Sequence, residues 1–238
     1  SPDDMMSVHK QTKHVTGLPE GKAASGDPSP TTADGVFRGI RACVRRATGS
    51  KDLNGIRVAV QGAAGHVGSY LCEHLSRAGA ELIVADMNVD GLKKHVDNFG
   101  AVIVDKDAIY DQEVDVFAPC ALGSVINPDT IDRLKVKIVA GAANNQLATR
   151  DMGAVLQKRG ILYAPDYVIN AGGIINVMGE IRGDFDPQWV KGKLAGLEAT
   201  LGEILDRAEN EGRPSNDIAD EMARARLEEA AAAKAVAA

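Results

Sequence analysis

Aromatic side chains are scarce in this chain of 238 residues, at 4%. That scarcity excludes the stacked-base platforms on which proteins hold single-stranded nucleic acid. A basic excess is also missing. The 27 lysines and arginines are outnumbered by 33 aspartates and glutamates, for a formal charge of −6, so no phosphate-backbone binder is expected. No run of about 18 apolar residues occurs, and no membrane span is expected. Cysteine is limited to Cys43, Cys72 and Cys120, odd in number and far apart. Three reduced thiols in a cytoplasmic protein are the plain reading, and neither they nor the histidines have metal-ligand spacing. The opening residues, 1–6, lack the basic and apolar regions of a secretory signal. A start on serine in mid-run reads as the cut edge of a longer protein. What is present is ordinary for a globular chain with a real core: 45% hydrophobic and 25% charged residues.

Residues 1–35 are polar and broken, with turn signals at 17–21 and 26–30. Thr31, Thr32, Ala33 and Asp34 can cap a helix over 35–48, where Val36, Ile40, Cys43, Val44 and Ala47 recur at helical spacing. Short β-branched runs then read as strands at 56–61, 81–86, 101–104, 114–118, 137–140 and 161–164. Helical stretches at 69–78, 89–99, 128–134 and 150–159 separate most of them. This alternation predicts parallel βαβ units and an α/β fold, a Rossmann-type doubly wound, mostly parallel sheet. C-terminal helices follow over 171–181, 188–211 and 217–227. The long one carries Val190, Leu194, Leu197, Leu201, Ile204 and Leu205 on one side. Residues 228–238, nearly all alanine, read as a frayed tail.

The chemistry concentrates where the first strand ends. Gly62-Ala63-Ala64-Gly65-His66-Val67-Gly68 lies between a strand and a helix. Glycine there permits a tight turn and lets backbone amides approach a pyrophosphate, which the positive end of the helix attracts. Asp86 ends the next strand, where a carboxylate can accept both ribose hydroxyls and repel a 2′-phosphate. Met87-Asn88 offers no arginine to offset that repulsion. The cofactor expected is therefore NAD. The second glycine comes one residue later than in G-x-G-x-x-G, which resembles a malate dehydrogenase loop. Cys120, Ala121, Ala142, Ala143 and Asn144 follow later strands at the same sheet edge and suit a flat nicotinamide ribose. Asn170 can both donate and accept, so it can bridge cofactor and substrate. Simpler roles stand beside these: packing for Cys120, loop capping for Asn145, solvent exposure for His66. The expected division is a hinge segment and connecting helix (1–48), a Rossmann NAD-binding domain (49–182), C-terminal helices (183–227) and the tail (228–238).

Longer motifs add a resemblance. They are Thr12-Lys13-His14-Val15-Thr16-Gly17, then 26–33, then Val116-Phe117-Ala118-Pro119-Cys120-Ala121-Leu122-Gly123, then 141–147, and above all Tyr163-Ala164-Pro165-Asp166-Tyr167-Val168-Ile169-Asn170-Ala171-Gly172-Gly173. Together they resemble the glutamate/leucine/phenylalanine/valine dehydrogenase family, its leucine and valine members most, over about residues 4 to 227. The resemblance implies NAD-dependent oxidative deamination of a branched-chain or aromatic L-amino acid to a 2-oxo acid and ammonia. It implies a homo-oligomer when full length, a small-molecule substrate, and neither nucleic acid nor membrane as partner. Carried over by position, Thr32 contacts the nicotinamide end, residues 62–68 hold the pyrophosphate, and Asp86 holds the ribose. Asn170 stands beside nicotinamide and substrate as the catalytic candidate, and Thr16, Leu194 and Leu197 line the amino-acid side-chain pocket. Core packing explains the two leucines equally well, and turn capping explains Thr16. The family's lysine-bearing lobe and catalytic aspartate motif are not found. The chain is therefore expected to be the cofactor-binding part, inactive alone; the alternative is a non-catalytic NAD-binding module. A malate-type hydroxy-acid dehydrogenase would want a histidine–aspartate pair and a carboxylate-binding arginine near the cofactor, and no such arrangement is visible.

Overall fold

The computed structural model describes residues 2–12, 14–21, 24–183 and 185–236. Lys13 of the first motif, Asp184 of the expected loop after the 171–181 helix, and residues 237 and 238 of the tail lie outside them. Six parallel strands form one sheet: β1 (Arg57–Gln61), β2 (Glu81–Ala85), β3 (Val102–Ile103), β4 (Val116–Pro119), β5 (Ile138–Val139) and β6 (Leu162–Tyr163). Their order is β3-β2-β1-β4-β5-β6, the doubly wound order the alternation predicts. Val58 and Val60 enter one hydrophobic layer with Leu71, Leu75 and Ile40. Ala59 between them enters the other, with Phe117, Ile109 and Leu156. Strand residues alternate faces, so an unbroken apolar run such as Val58-Ala59-Val60 in β1 is what a sheet covered on both sides requires. Gln61 pairs with Ala85 on one side and Pro119 on the other, which sets the carboxyl ends of β1, β2 and β4 side by side. The strand order reverses between β1 and β4, and ligands of such sheets bind at that reversal.

Nine helices are described: α1 (Pro2–His9), α2 (Ser29–Thr48), α3 (His66–Arg77), α4 (Val89–Phe99), α5 (Met152–Lys158), α6 (Asp166–Ile169), α7 (Gly172–Ile181), α8 (Pro187–Glu211) and α9 (Ser215–Val236). Several differ from expectation for identifiable reasons. Helix α2 begins six residues early because Pro30 fits the first turn, where its missing N–H costs nothing. It ends as expected, on Gly49 in a left-handed conformation. Residues 128–134 form only one 3-10 turn, Ile131–Arg133, because the Thr130 hydroxyl donates to the Val125 carbonyl and accepts from the Asn127 amide. Helix α9 runs on to Val236 instead of ending at residue 227; its alanines favour helix although residues 227–235 are exposed.

The polar N-terminal stretch is better organised than its turn signals suggest. Glu180 on α7 is buried and accepts from the Gly17 amide and the Ser25 hydroxyl, each at 2.6 Å. Asn176, one turn earlier, donates to the Ser25 carbonyl at 3.1 Å. Helix α2 approaches α6 and α7 through glycines: a Cβ on Gly35 would lie 3.3 Å from the Ile169 carbonyl, and one on Gly39 would overlap the Ile169 side chain. Gly39→Val is therefore expected to lower stability by about 1–3 kcal/mol, read as an earlier midpoint in urea unfolding.

His95 on α4 is fully buried, and neither ring nitrogen reaches a hydrogen-bond partner among the described residues. Burial and then the Lys94 charge hold it below the ordinary histidine range; the Gly91, Ala63 and Leu92 carbonyls oppose them. The unfolded chain therefore takes up this proton more readily than the folded one. Stability from this site is complete above about pH 6.5 and declines below it. His95→Leu should flatten that acid-side decline in urea midpoints measured across the same pH range. An unchanged slope would show that other groups set it.

Candidate active-site cleft

The glycine loop is built by backbone bonds to both neighbouring strands. The Gly62 amide donates to the Ala85 carbonyl at 2.8 Å, the Gly65 amide to the Gly62 carbonyl at 3.1 Å, and the Cys120 amide to the Gln61 carbonyl at 2.8 Å. Gly62 has φ +81°, a conformation that glycine adopts without strain. A Cβ there would stand 2.9 Å from the Ala121 amide nitrogen, and a Cβ on Gly68 would collide with the Gly62 carbonyl. Both glycines are thus required by close approach of backbone to backbone. Helix α3 starts at His66, directly after Gly65. Its first-turn amides at His66, Val67 and Gly68 have no intrahelical acceptor, and they sit at the positive end of a helix of 12 residues.

Asp86 has a role that the sequence pattern did not reveal. One carboxylate oxygen accepts from the Ala64 amide at 3.0 Å and the other from the Asn88 amide at 2.9 Å. The acid at the end of β2 therefore grips the loop after β1. Ala64 belongs to the lengthened segment between the first two glycines, so the longer loop is fastened rather than slack. The His66 side chain is 84% exposed, with Nδ1 3.7 Å from an Asp27 carboxylate oxygen. Burial raises the Asp27 carboxyl, but hydrogen bonding from Ser29, with the neighbouring His66 ring, outweighs it and leaves the group below the usual carboxylate range.

Across the strand-order reversal, the loops after β4, β5 and β6 meet. The Ala143 amide donates to the Pro119 carbonyl at 2.9 Å. The Asn170 amide nitrogen donates to the Ala142 carbonyl at 3.1 Å and to the Asn144 side-chain oxygen at 2.7 Å. Thr32 reaches the same region, because a Cβ on Gly173 would lie 2.8 Å from its hydroxyl oxygen; that hydroxyl donates to the Pro28 carbonyl. Asn145 has φ +52° and its carbonyl accepts from the Ser124 amide at 2.6 Å, a loop-shaping position. Burial pushes the Cys120 thiol up to about 12, against a bond from the Ala142 backbone. It stays protonated at neutral pH and packs; it is not an activated nucleophile.

Gln146 was missed by sequence reasoning. It is fully buried and donates to the Gly141 and Ala143 carbonyls at 2.8 and 3.0 Å, which shapes the segment that holds Asn144. The only sequence signal was its place at the end of Asn144-Asn145-Gln146. The three side-chain-pocket candidates are not brought together in one cavity. Leu194 and Leu197 are buried on α8. Leu197 lines a cavity of about 430 Å³ among α6, α7, α8 and α9, which Thr16 and Leu194 do not line. Thr16 precedes the Gly17 amide held by Glu180. No helix among the described residues is long and apolar enough to cross a membrane.

Known proteins share this fold. The family model of glutamate/leucine/phenylalanine/valine dehydrogenase matches residues 25–234. Leucine dehydrogenase from Thermoactinomyces intermedius is 48% identical over 226 residues, which cover 95% of this chain and 61% of that protein. L-tryptophan dehydrogenase from Nostoc punctiforme is 42% identical, with 95% and 63% covered. The chain thus spans about three fifths of the length of these relatives. A crystal structure of the Nostoc punctiforme L-tryptophan dehydrogenase superposes with a TM-score of 0.85 at 41% identity, covering 96% of this chain and 65% of that one. The hetero-hexameric glutamate dehydrogenase of Thermus thermophilus, at 24% identity, shares the fold with a TM-score of 0.73 over 95% of this chain and 59% of its own. The six-stranded sheet, the fastened glycine loop and the match over most of the length agree: this chain belongs to the glutamate/leucine/phenylalanine/valine dehydrogenase family.

Proposed function

We propose that this chain binds NAD for the oxidative deamination of a branched-chain or aromatic L-amino acid to its 2-oxo acid and ammonia. The observation that carries the reading is the glycine loop fastened to Asp86 at the strand-order reversal. The residues present fit a dinucleotide, since Gly62 and Gly68 leave no room for side chains between loop and strand ends. In this reading the segment from Gly62 through Ala63, Ala64, Gly65, His66 and Val67 to Gly68 holds the pyrophosphate on first-turn amides. Asp86 accepts the adenosine ribose hydroxyls and disfavours a 2′-phosphate. Cys120, Ala121, Ala142 and Ala143 floor the nicotinamide ribose, and Thr32, Asn144 and Asn170 stand at the ring end. Bound NAD supplies the hydride acceptor.

Asn170 orients the substrate. Its amide nitrogen already serves Ala142 and Asn144, so its side-chain oxygen is left to accept from a substrate amine. Leu194 and Leu197 are assigned to helix packing by their burial, and Thr16 to the loop held by α7. Residues 1–48 serve as hinge and connecting helix, 49–182 as the NAD-binding domain and 183–227 as C-terminal helices. The cleft-side segments 120–127, 140–147 and 164–173 contain no lysine, and a lysine is the group the family resemblance assigns to substrate activation. The chain by itself is accordingly a cofactor-holding unit, and the full-length protein a homo-oligomer. A non-catalytic NAD-binding module is the second reading, favoured by the lack of a lysine in those segments.

Titration of the purified chain with NADH should give saturable fluorescence enhancement, and Gly68→Val should abolish it. Because that variant strains the loop, Asp86→Ser provides the independent check. It should narrow the preference for NADH over NADPH by about tenfold, equivalent to roughly 1.4 kcal/mol. An unchanged preference would remove Asp86 from the ribose site. Mixed with NAD and L-leucine, the chain alone should form no NADH. Turnover at the rate of a full enzyme would show that the activating groups are already present.

A further inference from the structure

The cavity of about 430 Å³ among α6, α7, α8 and α9 is separate from the glycine loop, none of whose residues lines it. Its walls are mostly apolar, with Val168, Ile175, Leu197 and Met222 among them. The only charged residues on its lining are Lys193 and Arg226, both basic. Neither makes an ion pair among the described residues. Lys193 stands against the Trp189 ring, 5.6 Å from its ammonium to the ring centroid, and the cavity lining offers Arg226 no residue of opposite charge. Asp220, on the same helix as Arg226, is already engaged by the Tyr167 hydroxyl at 2.9 Å and by Arg150 at 3.3 Å.

Gly196 adds an independent observation. It lies inside α8, where glycine weakens a helix relative to alanine. It lines the cavity, and a Cβ there would meet nothing within 4 Å. Packing therefore does not demand a glycine, and the cavity is open to solvent at this point. The volume falls in the range of small-molecule sites, which are mostly apolar with a few placed polar groups.

We infer that this cavity binds an apolar monocarboxylate, its chain among the α7, α8 and α9 side chains and its carboxylate against Lys193 and Arg226. The site is distinct from the dinucleotide cradle and does not depend on the function proposed above. Octanoate is the probe, added to the full chain carrying isotope-labelled methionine, with the Met222 methyl signal assigned through Met222→Leu. Saturable movement of that signal is expected, equally with and without saturating NADH. Arg226→Gln should weaken binding by about fivefold, the scale of one exposed charge interaction. Gly196→Leu should fill the cavity and abolish binding while the chain stays folded, since the change favours helix. Octan-1-ol should bind more weakly than octanoate. A Met222 signal that ignores octanoate, equal binding of the alcohol, or displacement by NADH would each overturn the assignment. So would a shift of the same signal with protein concentration alone, which would identify a second copy as the occupant.

Discussion

The hydrogen bond from the Ala64 amide to the Asp86 carboxylate is the contact on which the site's geometry turns. It joins the end of β2 to the loop after β1, two segments that parallel pairing brings side by side. A charged acceptor makes such a bond worth about 1.5–3 kcal/mol, a sizeable share of a domain's usual 5–15 kcal/mol. Its larger consequence is directional. With Ala64 fixed, Gly65 ends the loop in an extended conformation (φ −71°, ψ 169°) and α3 must start at His66. The direction of α3 then sets α2, since both contribute buried residues to one apolar layer with Val58 and Val60. Helix α2 in turn meets Ile169 and Gly172 through Gly35 and Gly39. The backbone that presents Asn170 is thus placed by a chain of contacts that begins at the opposite end of the cleft.

Close approach of main chain to main chain recurs along this path. Gly62 against Ala121, Gly68 against the Gly62 carbonyl, Gly141 against Pro119 and Gly172 against the Thr31 carbonyl each exclude a side chain. Such contacts exchange side-chain packing for short, stiff backbone geometry. The arrangement keeps the cleft walls thin and their amides near the surface, which an extended, highly charged ligand requires. Buried side chains supply the stiffness that glycine cannot. Gln146 ties the Gly141 and Ala143 carbonyls together, and Glu180 anchors the N-terminal stretch on α7.

The legible parts of the sequence were those whose causes are local. Val58, Ala59 and Val60, the glycines that follow and Asp86 could be read as strand, turn and acid because each signal lies within a few residues of its effect. The N-terminal stretch could not be read in this way. Its turn signals are real, but the acceptor that organises Gly17 and Ser25 is Glu180, more than 150 positions away. The stretch around Thr130 failed for the opposite reason. It carries helix-compatible residues, yet one hydroxyl bonded to Val125 holds it as a single turn. The family motifs located Asn144 and Asn170, whereas their mutual hydrogen bond depends on the pairing of β5 with β6. Spacing alone does not encode that pairing. The leucines of α8 remained ambiguous because one amphipathic face is written identically whether it meets core or cavity.

The Asn144–Asn170 pair completes the physical account of the cleft. A side-chain amide on a mobile loop would present its oxygen and nitrogen with equal ease, and would discriminate poorly between a donor and an acceptor on a ligand. Here both protons of the Asn170 nitrogen are directed to oxygens, one on a backbone carbonyl and one on Asn144. Reversing the amide would set its oxygen against two acceptors, so one orientation is strongly preferred. Asn144 accepts because its own loop is held by Gln146, whose backbone amide donates to Asp166 at the start of α6. Asn170 directly follows α6. The acid at one end of that short helix and the amide at the other therefore hold the same loop from two sides. Polarity at the Asn170 end of the cleft is set by this closed circuit of hydrogen bonds, in which each member fixes the orientation of the next.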